Sequence, residues 1–288
     1  MPTEINLTPT ASFFEIGPAD RRITGRTWGT APDCRAAALL VHGLGAHSGW
    51  FEAFGRRLKV RGIYAAAPDL IAFGKRKDRK FLTYDQWVQE LIEVASFLRS
   101  LVVEKPLFLM GNSLGAVLAL AAAKAINPDG LVLFSPGIDG YPGTFTLSYR
   151  LDAVMKALLK PDTLVPLPYN DHLISRDEGV KEWIGNDPDR RNEMPARMAL
   201  ELIRLTWNVS KNVNSLSFPV LMMTAGIDQI VNNESSKRFF KKLQCPRKTH
   251  RHFAESWHDL MFDPIIDQLA DELIDWMSEC APEKATAG

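Results

Sequence analysis

Short apolar runs of strand length alternate with longer stretches of helical spacing through the first half of the chain. Two edge strands are predicted around Phe13–Ile16 and Ile23–Trp28, separated by a Gly17-Pro18 turn. Ala36–Val41 is a continuous small-apolar run, the mark of a strand buried on both faces. Ile63–Ala67, Leu107–Met110 and Leu131–Phe134 repeat that signature. Between them, Gly49–Val60 reads as an amphipathic helix. Thr83–Leu101 reads as another, with Trp87, Leu91, Val94 and Leu98 on one stripe. The dozen Ala- and Leu-rich residues after Gly115 read as a buried helix. Strands and helices alternating at this spacing predict an α/β fold, a mostly parallel central sheet with helices on both faces.

Around Asp139 the rhythm breaks. Residues 139–214 contain no buried-strand run, and prolines punctuate them at 161, 166, 168, 188 and 195. Helical pieces remain at Leu151–Leu159 and Ala196–Trp207. Leu151, Val154 and Leu158 fall at i, i+3 and i+7, as do Leu200, Ile203 and Trp207, so each set makes one stripe. This segment is predicted to be an inserted helical cap whose stripes face a pocket, with Leu158 and Trp207 as substrate-binding residues. The sheet rhythm resumes at Pro219–Thr224, with a helix near Ser235–Leu243, a strand at Thr249–Phe253 and a last helix over Ile265–Met277. The expected organisation is a core of residues 1–138 and 215–288 carrying a cap of 139–214.

Composition narrows the class. With 288 residues the chain can bury a substantial core. Lys plus Arg and Asp plus Glu number 34 each, so bulk charge recruits neither nucleic acid nor an acidic surface. Cys34, Cys245 and Cys280 are odd in number and far apart; they suggest reduced thiols and a cytoplasmic protein, and none has a metal-ligand spacing. The start MPTEINLTPT lacks the basic and apolar parts of a signal peptide. No apolar run approaches the roughly 20 residues of a membrane span, which leaves a peripheral membrane contact open. The basic run Lys75–Lys80 reads as a solvated loop.

The chemistry sits at Gly111-Asn112-Ser113-Leu114-Gly115, between the strand ending at Met110 and the buried helix. Strand, Gly-x-Ser-x-Gly and helix in that order give the pentapeptide a mechanism: the glycines allow a sharp turn that exposes the Ser113 hydroxyl. A serine needs a base to take its proton, and the base needs an orienting acid. Asp228, in the loop after Val220–Thr224, fits the acid. His258, in the loop after the last strand, fits the base; the order Ser, Asp, His is that of an α/β-hydrolase. Asp139 is the rival acid because it also follows a strand end. Of the six histidines, His250 and His252 lie within the strand, His172 in the cap, and His42 and His47 in the early loop. Two backbone donors are needed for the oxyanion, and the N–H groups of Leu114 and Leu44 are the candidates, the latter in His42-Gly43-Leu44-Gly45. His42 reads as a brace for that turn.

The loop His42-Gly43-Leu44-Gly45-Ala46-His47-Ser48-Gly49 resembles that of the monoacylglycerol lipase and lysophospholipase family of serine hydrolases. The segments 111–115, 226–231 and 257–260 resemble its nucleophile, acid and histidine loops, and Leu173–Asp177 with Asn186-Asp187-Pro188 resemble parts of its cap. The likeness runs from about residue 36 to 277. It implies the α/β-hydrolase fold, the roles of Ser113, Asp228 and His258, and a lipid-like ester as substrate. The family usually carries Glu at 46, His at 112 and Gly at 116, where this chain has Ala46, Asn112 and Ala116. Pro68–Lys75 looks more like the corresponding loop of haloalkane dehalogenases and small-ester hydrolases; Ser113 excludes the aspartate-nucleophile chemistry of the former.

The expected function is hydrolysis of an acyl monoester through an acyl-enzyme on Ser113, with no cofactor. Small-ester hydrolysis and acyl transfer use the same residues and stay open, as does a ligand-binding protein on a hydrolase scaffold.

Overall fold

A run such as Ala36–Val41 has no polar side chain to leave in water, so it is stable only where both of its faces are covered. In the computed structural model, which describes residues 5–280, it forms β3 and every one of its residues is buried. Alternate residues feed opposite layers. Ala37, Leu39 and Val41 enter one apolar core cluster, while Ala36, Ala38 and Leu40 enter the other.

The remaining core elements are β1 (Ser12–Ile16), β2 (Ile23–Trp28), α1 (Glu52–Val60), β4 (Ile63–Pro68), α2 (Tyr84–Leu101), β5 (Leu107–Asn112), α3 (Leu114–Ile126) and β6 (Gly130–Phe134). After an insertion, β9 (Val220–Ile227), α7 (Asn233–Lys242), β10 (Lys248–Trp257) and α8 (Ile266–Cys280) complete it. The eight strands form one sheet in the order β1-β2-β4-β3-β5-β6-β9-β10. Only β1–β2 and β2–β4 pair antiparallel; from β4 to β10 the sheet is parallel. Helices α2 and α3 supply Trp87, Leu91, Val117 and Leu118 to one cluster, and α1 and α8 supply Phe54, Leu58, Leu269 and Leu273 to the other. Both faces are therefore covered, as the strand composition requires.

The insertion between β6 and β9 carries α4 (Leu147–Leu159), β7 (Leu164–Pro166), α5 (Glu178–Gly185), β8 (Glu193–Pro195) and α6 (Ala196–Asn212). Three helices and a two-stranded ribbon make it up, and the ribbon was not expected. β7 and β8 pair antiparallel, Val165 opposite Met194, in strands of three residues that each end in proline. A strand that short leaves no apolar run to find. α6 buries Met198, Leu205 and Val209 against the core, and Glu201 accepts the Tyr84 N–H at 3.0 Å from the first turn of α2. α4 buries only two alanines, Ala153 and Ala157.

The basic run Lys75–Lys80 is a solvated loop only in part: Lys75, Asp78, Arg79 and Lys80 are exposed, but two of its side chains turn inward. Arg76 is buried and donates to Glu90 at 2.5 Å, where the two charges cancel away from water. Lys75 pairs with Asp189 at 2.7 Å and Lys77 donates to the Pro188 carbonyl at 2.6 Å. Part of the run therefore ties the core to the insertion.

Candidate active site

The sharp elbow at Gly111–Gly115 forms because the chain must reverse between β5 and α3 with almost no room. A Cβ on Gly111 would lie 2.2 Å from the Gly115 carbonyl oxygen, and one on Gly115 would lie 2.0 Å from that of Val41. Between them Ser113 adopts φ 54° and ψ −115°, a strained conformation for a residue with a side chain. Its N–H donates to the Phe134 carbonyl at 2.9 Å, and its own carbonyl accepts from Gly137 at 3.1 Å. Leu114 is the first residue of α3, so its N–H has no acceptor within the helix.

His42 follows β3. Its Nδ1 bonds the Gly43 carbonyl at 2.8 Å and its Nε2 accepts the Leu70 N–H at 3.2 Å, so the imidazole donates from Nδ1. Burial pulls its pKa down to about 4 and keeps it neutral. The turn it braces lies against the elbow: a Cβ on Gly43 would meet the Ser113 Cβ at 3.3 Å. Beyond the turn, His47 bonds Asp187 of the insertion at 2.7 Å, and Trp50 donates to the same carboxylate oxygen at 3.0 Å.

Asp228 follows β9 and His258 follows β10. Asp228 Oδ2 bonds His258 Nδ1 at 2.8 Å, while Oδ1 accepts the N–H groups of Ile230 and Val231, each at 2.9 Å. All its acceptor geometry is thereby fixed, and its side chain is fully buried. Burial lowers the His258 pKa, but the adjacent Asp228 carboxylate, by charge and hydrogen bond, outweighs it with help from Asp259 and holds the imidazole above its ordinary value. Asp259 is buried beside His258, and burial raises its pKa to about 6 against the opposing His258, Met261 N–H and Asn112. Asn112 Nδ2 donates to Asp259 Oδ2 at 2.9 Å. The residue before the serine is thus bonded to the residue after the histidine. Ser135 Oγ adds a bond to the His258 carbonyl at 2.7 Å.

The rival acid, Asp139, is engaged elsewhere, paired with Arg150 at 3.1 Å and partly exposed. His250 and His252 both bond the Thr224 hydroxyl, at 2.8 and 3.0 Å. His172 lies in a single turn, Asp171–Leu173, of the insertion.

Above Ser113 is a cavity of about 330 Å³ with Leu44 and Leu114 beside the serine. Its walls include Ile138, Phe145, Ala153, Ala199, Leu202, Ile203 and Val231. Apart from that of Ser113, the hydroxyls that reach it are spent on backbone carbonyls: Tyr149 on Pro166 at 3.0 Å, Thr206 on Leu202 at 3.0 Å, and Tyr169 on Leu44. The lining is accordingly hydrocarbon, with the Arg150–Asp139 pair as its charged element. Leu158 and Trp207, expected on the pocket face, are 66% and 62% exposed and do not line it. Periodicity located the apolar stripes but not the direction they face. The small side chains Ala153 and Ala199 face the cavity instead. Asp259 and Tyr169 escaped the sequence reading, although an acid directly after the base was a visible signal.

The strand–elbow–helix at Ser113, the neighbouring Asp–His pair and the sheet order together define an α/β-hydrolase fold. The chain matches the family model described as serine aminopeptidase, S33, over residues 32–265, and it belongs to that family. It is 22% identical to human monoglyceride lipase over 270 residues, covering 91% of this chain and 88% of the relative. To the phospholipase YtpA of Bacillus subtilis it is 23% identical, covering 80% of this chain and 90% of the relative. Among solved structures, a soluble variant of monoglyceride lipase from Saccharomyces cerevisiae with a substrate analogue superimposes with a TM-score of 0.86 at 17% identity, over 98% of this chain and 99% of the other. Monoacylglycerol lipase from Paleococcus ferrophilus gives 0.80 at 22% identity, over 90% and 99%.

Proposed function

We propose that this protein is a serine hydrolase of lipid-like carboxylic monoesters that works through an acyl-enzyme on Ser113. The observation that carries the reading is the buried 2.8 Å Asp228–His258 pair, held beside an elbow whose strained serine opens on an apolar cavity. With Nδ1 committed to Asp228, His258 has Nε2 left for the Ser113 proton. Ser113 Oγ attacks the ester carbonyl as His258 takes that proton; the Leu44 and Leu114 N–H groups receive the oxyanion. His258 returns the proton to the departing alcohol, and a water repeats the sequence to release the acid. Asp228 orients the imidazole and stabilises its cation.

Residues 139–214 act in this reading as the cap over Ser113. Their hydrocarbon-lined cavity favours an acyl chain, in keeping with the monoglyceride lipases and the phospholipase among the relatives. The family description raises peptides as a second reading. An aminopeptidase needs a carboxylate free to hold the substrate's α-amino group, and the carboxylate of the cavity wall, Asp139, is already neutralised by Arg150. Ester hydrolysis is the better fit. Acyl transfer would replace the water by an alcohol with the same residues.

Among the described residues no helix is long and apolar enough to cross a membrane. The outward faces of α4 and α6, with Leu151, Leu158 and Trp207 exposed, suit transient contact with a lipid surface, and Ile203 both lines the cavity and reaches solvent. The three free cysteines fit a cytoplasmic setting. A fluorophosphonate probe tests the core of the proposal. Covalent labelling that vanishes in Ser113→Ala, together with turnover of monoglycerides, is the expected result; a folded wild type that neither labels nor turns over esters would overturn it.

A further inference from the structure

The Leu44 N–H is presented by a four-residue turn, Gly43 to Ala46. The Ala46 N–H donates to the Gly43 carbonyl at 3.3 Å, and Gly45 has φ +78°, as the third position of a type II turn requires. Types I and II differ by a flip of the central peptide, here the one joining Leu44 to Gly45. In this protein the central carbonyl is held: the Tyr169 hydroxyl donates to the Leu44 oxygen. The next carbonyl, that of Gly45, accepts the Arg191 N–H at 2.9 Å. Both donors come from the insertion, whereas His42 on the core holds the Gly43 carbonyl, which belongs to the peptide that carries the Leu44 N–H.

A second observation is independent of these bonds. A Cβ on Gly45 would lie 2.7 Å from Leu167 Cδ1, 2.8 Å from the Arg191 carbonyl oxygen and 3.4 Å from the Tyr169 hydroxyl. The insertion therefore packs directly on the turn, and glycine serves both the φ and the close approach.

We infer that Tyr169 is a positioning residue for the oxyanion donor: its hydroxyl holds the Leu44 carbonyl, and so fixes Leu44 from the side opposite to the Gly43–Leu44 peptide held by His42, keeping the Leu44 N–H preorganised beside Ser113. The inference rests on the proposed role of that N–H. Burial pushes the Tyr169 pKa up, so the hydroxyl remains a donor throughout the working pH range. The physical consequence is that the cap, through Tyr169, holds part of the oxyanion site as well as walling the acyl chain. A donor held in place needs no reorganisation when charge develops, which is where such sites gain their effect.

Tyr169→Phe keeps the ring and removes the bond. With a soluble 4-nitrophenyl butyrate, and sites counted by fluorophosphonate titration so that any unfolded fraction drops out, kcat per site is expected to fall about tenfold with KM changed less than twofold. An alkyl trifluoromethyl ketone, to which Ser113 Oγ adds as His258 takes its proton, also places an oxyanion there. Its affinity should fall in step with kcat, while that of the product carboxylic acid stays put. Unchanged kcat per site would overturn the inference, as would a KM rise alone, which would make Tyr169 a substrate contact. So would a loss fully explained by fewer titratable sites. A wild type that neither labels nor turns over would instead strike the proposed function itself.

Discussion

The core and the insertion solve opposite problems. In the core, Asp228 and His258 are buried and hydrogen-bonded at strand ends, and the Asp228 carboxylate serves His258 and two backbone N–H groups. The insertion leaves Leu151, Leu158 and Trp207 in solvent and lines the cavity with alanines and flexible aliphatic side chains. Buried polar groups tolerate almost no displacement, because an unmade bond there costs the full desolvation of its partner. Apolar walls tolerate exchange if volume is kept. Under the proposed function the reaction belongs to the core and the choice of substrate to the insertion, with the Tyr169–Leu44 bond as a point where the two meet.

The sharpest break of this comparison is a pair of core substitutions. His258→Ala and Asp228→Asn should each lower turnover at least about a thousandfold, because the three groups act as a unit. Asp139→Asn, His250→Ala and His252→Ala should stay near wild type. The measurement is kcat on a soluble nitrophenyl ester, with circular dichroism confirming the fold. A larger loss at Asp139 than at Asp228 would move the acid to the wrong strand and undo the division.

Legibility follows the same line. β3, β5 and β6 could be read from composition because a strand covered on both faces has to be apolar throughout. Ser113 and Asp228 could be picked out as candidates because each directly follows a largely buried strand, whereas His258 follows β10, which is mostly exposed, and rested on chain order instead. β7 and β8 could not, since three-residue strands carry no period. The stripes of α4 and α6 were legible as stripes, but a period names a face and not its neighbour, so Leu158 and Trp207 were assigned to the wrong side. Asp259 and Tyr169 depend on partners 147 and 125 residues away, Asn112 and Leu44, and no local pattern encodes such a contact.

The cavity supplies the second test. Each methylene moved from water into its wall should contribute about 0.8 kcal/mol, or roughly fourfold in kcat/KM, until the space is filled. A rising profile from acetate toward octanoate esters is expected, and Ala199→Phe, which fills space at the wall, should move the optimum to shorter chains. A flat or falling profile would assign the cavity to some group other than the acyl chain.

A smaller effect should come from the outer faces. Trp207→Glu or Leu158→Glu should lower turnover of a monoester dispersed in phospholipid vesicles severalfold, since a charge resists transfer into a lipid surface. The same variants should hydrolyse a soluble butyrate ester at the wild-type rate. Equal losses on both substrates would mean that these side chains support the cap rather than meet lipid.

The smallest effect concerns pH, and it tests whether the core's second acid acts through the base. His258 works as a base only when neutral, so kcat/KM should rise with pH through the His258 pKa, which Asp228 and Asp259 hold above the ordinary value of about 6.5. Asp259 titrates near 6 and is anionic above that, where its charge favours the imidazolium. Asp259→Asn removes the charge but keeps an oxygen that can accept from Asn112. The imidazolium then loses support, the His258 pKa falls, and the acidic limb moves to lower pH, by less than about one unit for a partly compensated neighbour. The variant should therefore match wild type at pH 8 and exceed it at pH 6. Because the two groups sit side by side, the wild-type limb should also be broader than a single titration and the variant's should sharpen. A uniform loss at every pH, with the limb unmoved, would make the Asn112–Asp259 bond a mechanical strut and leave Asp228 as the only acid that tunes the base.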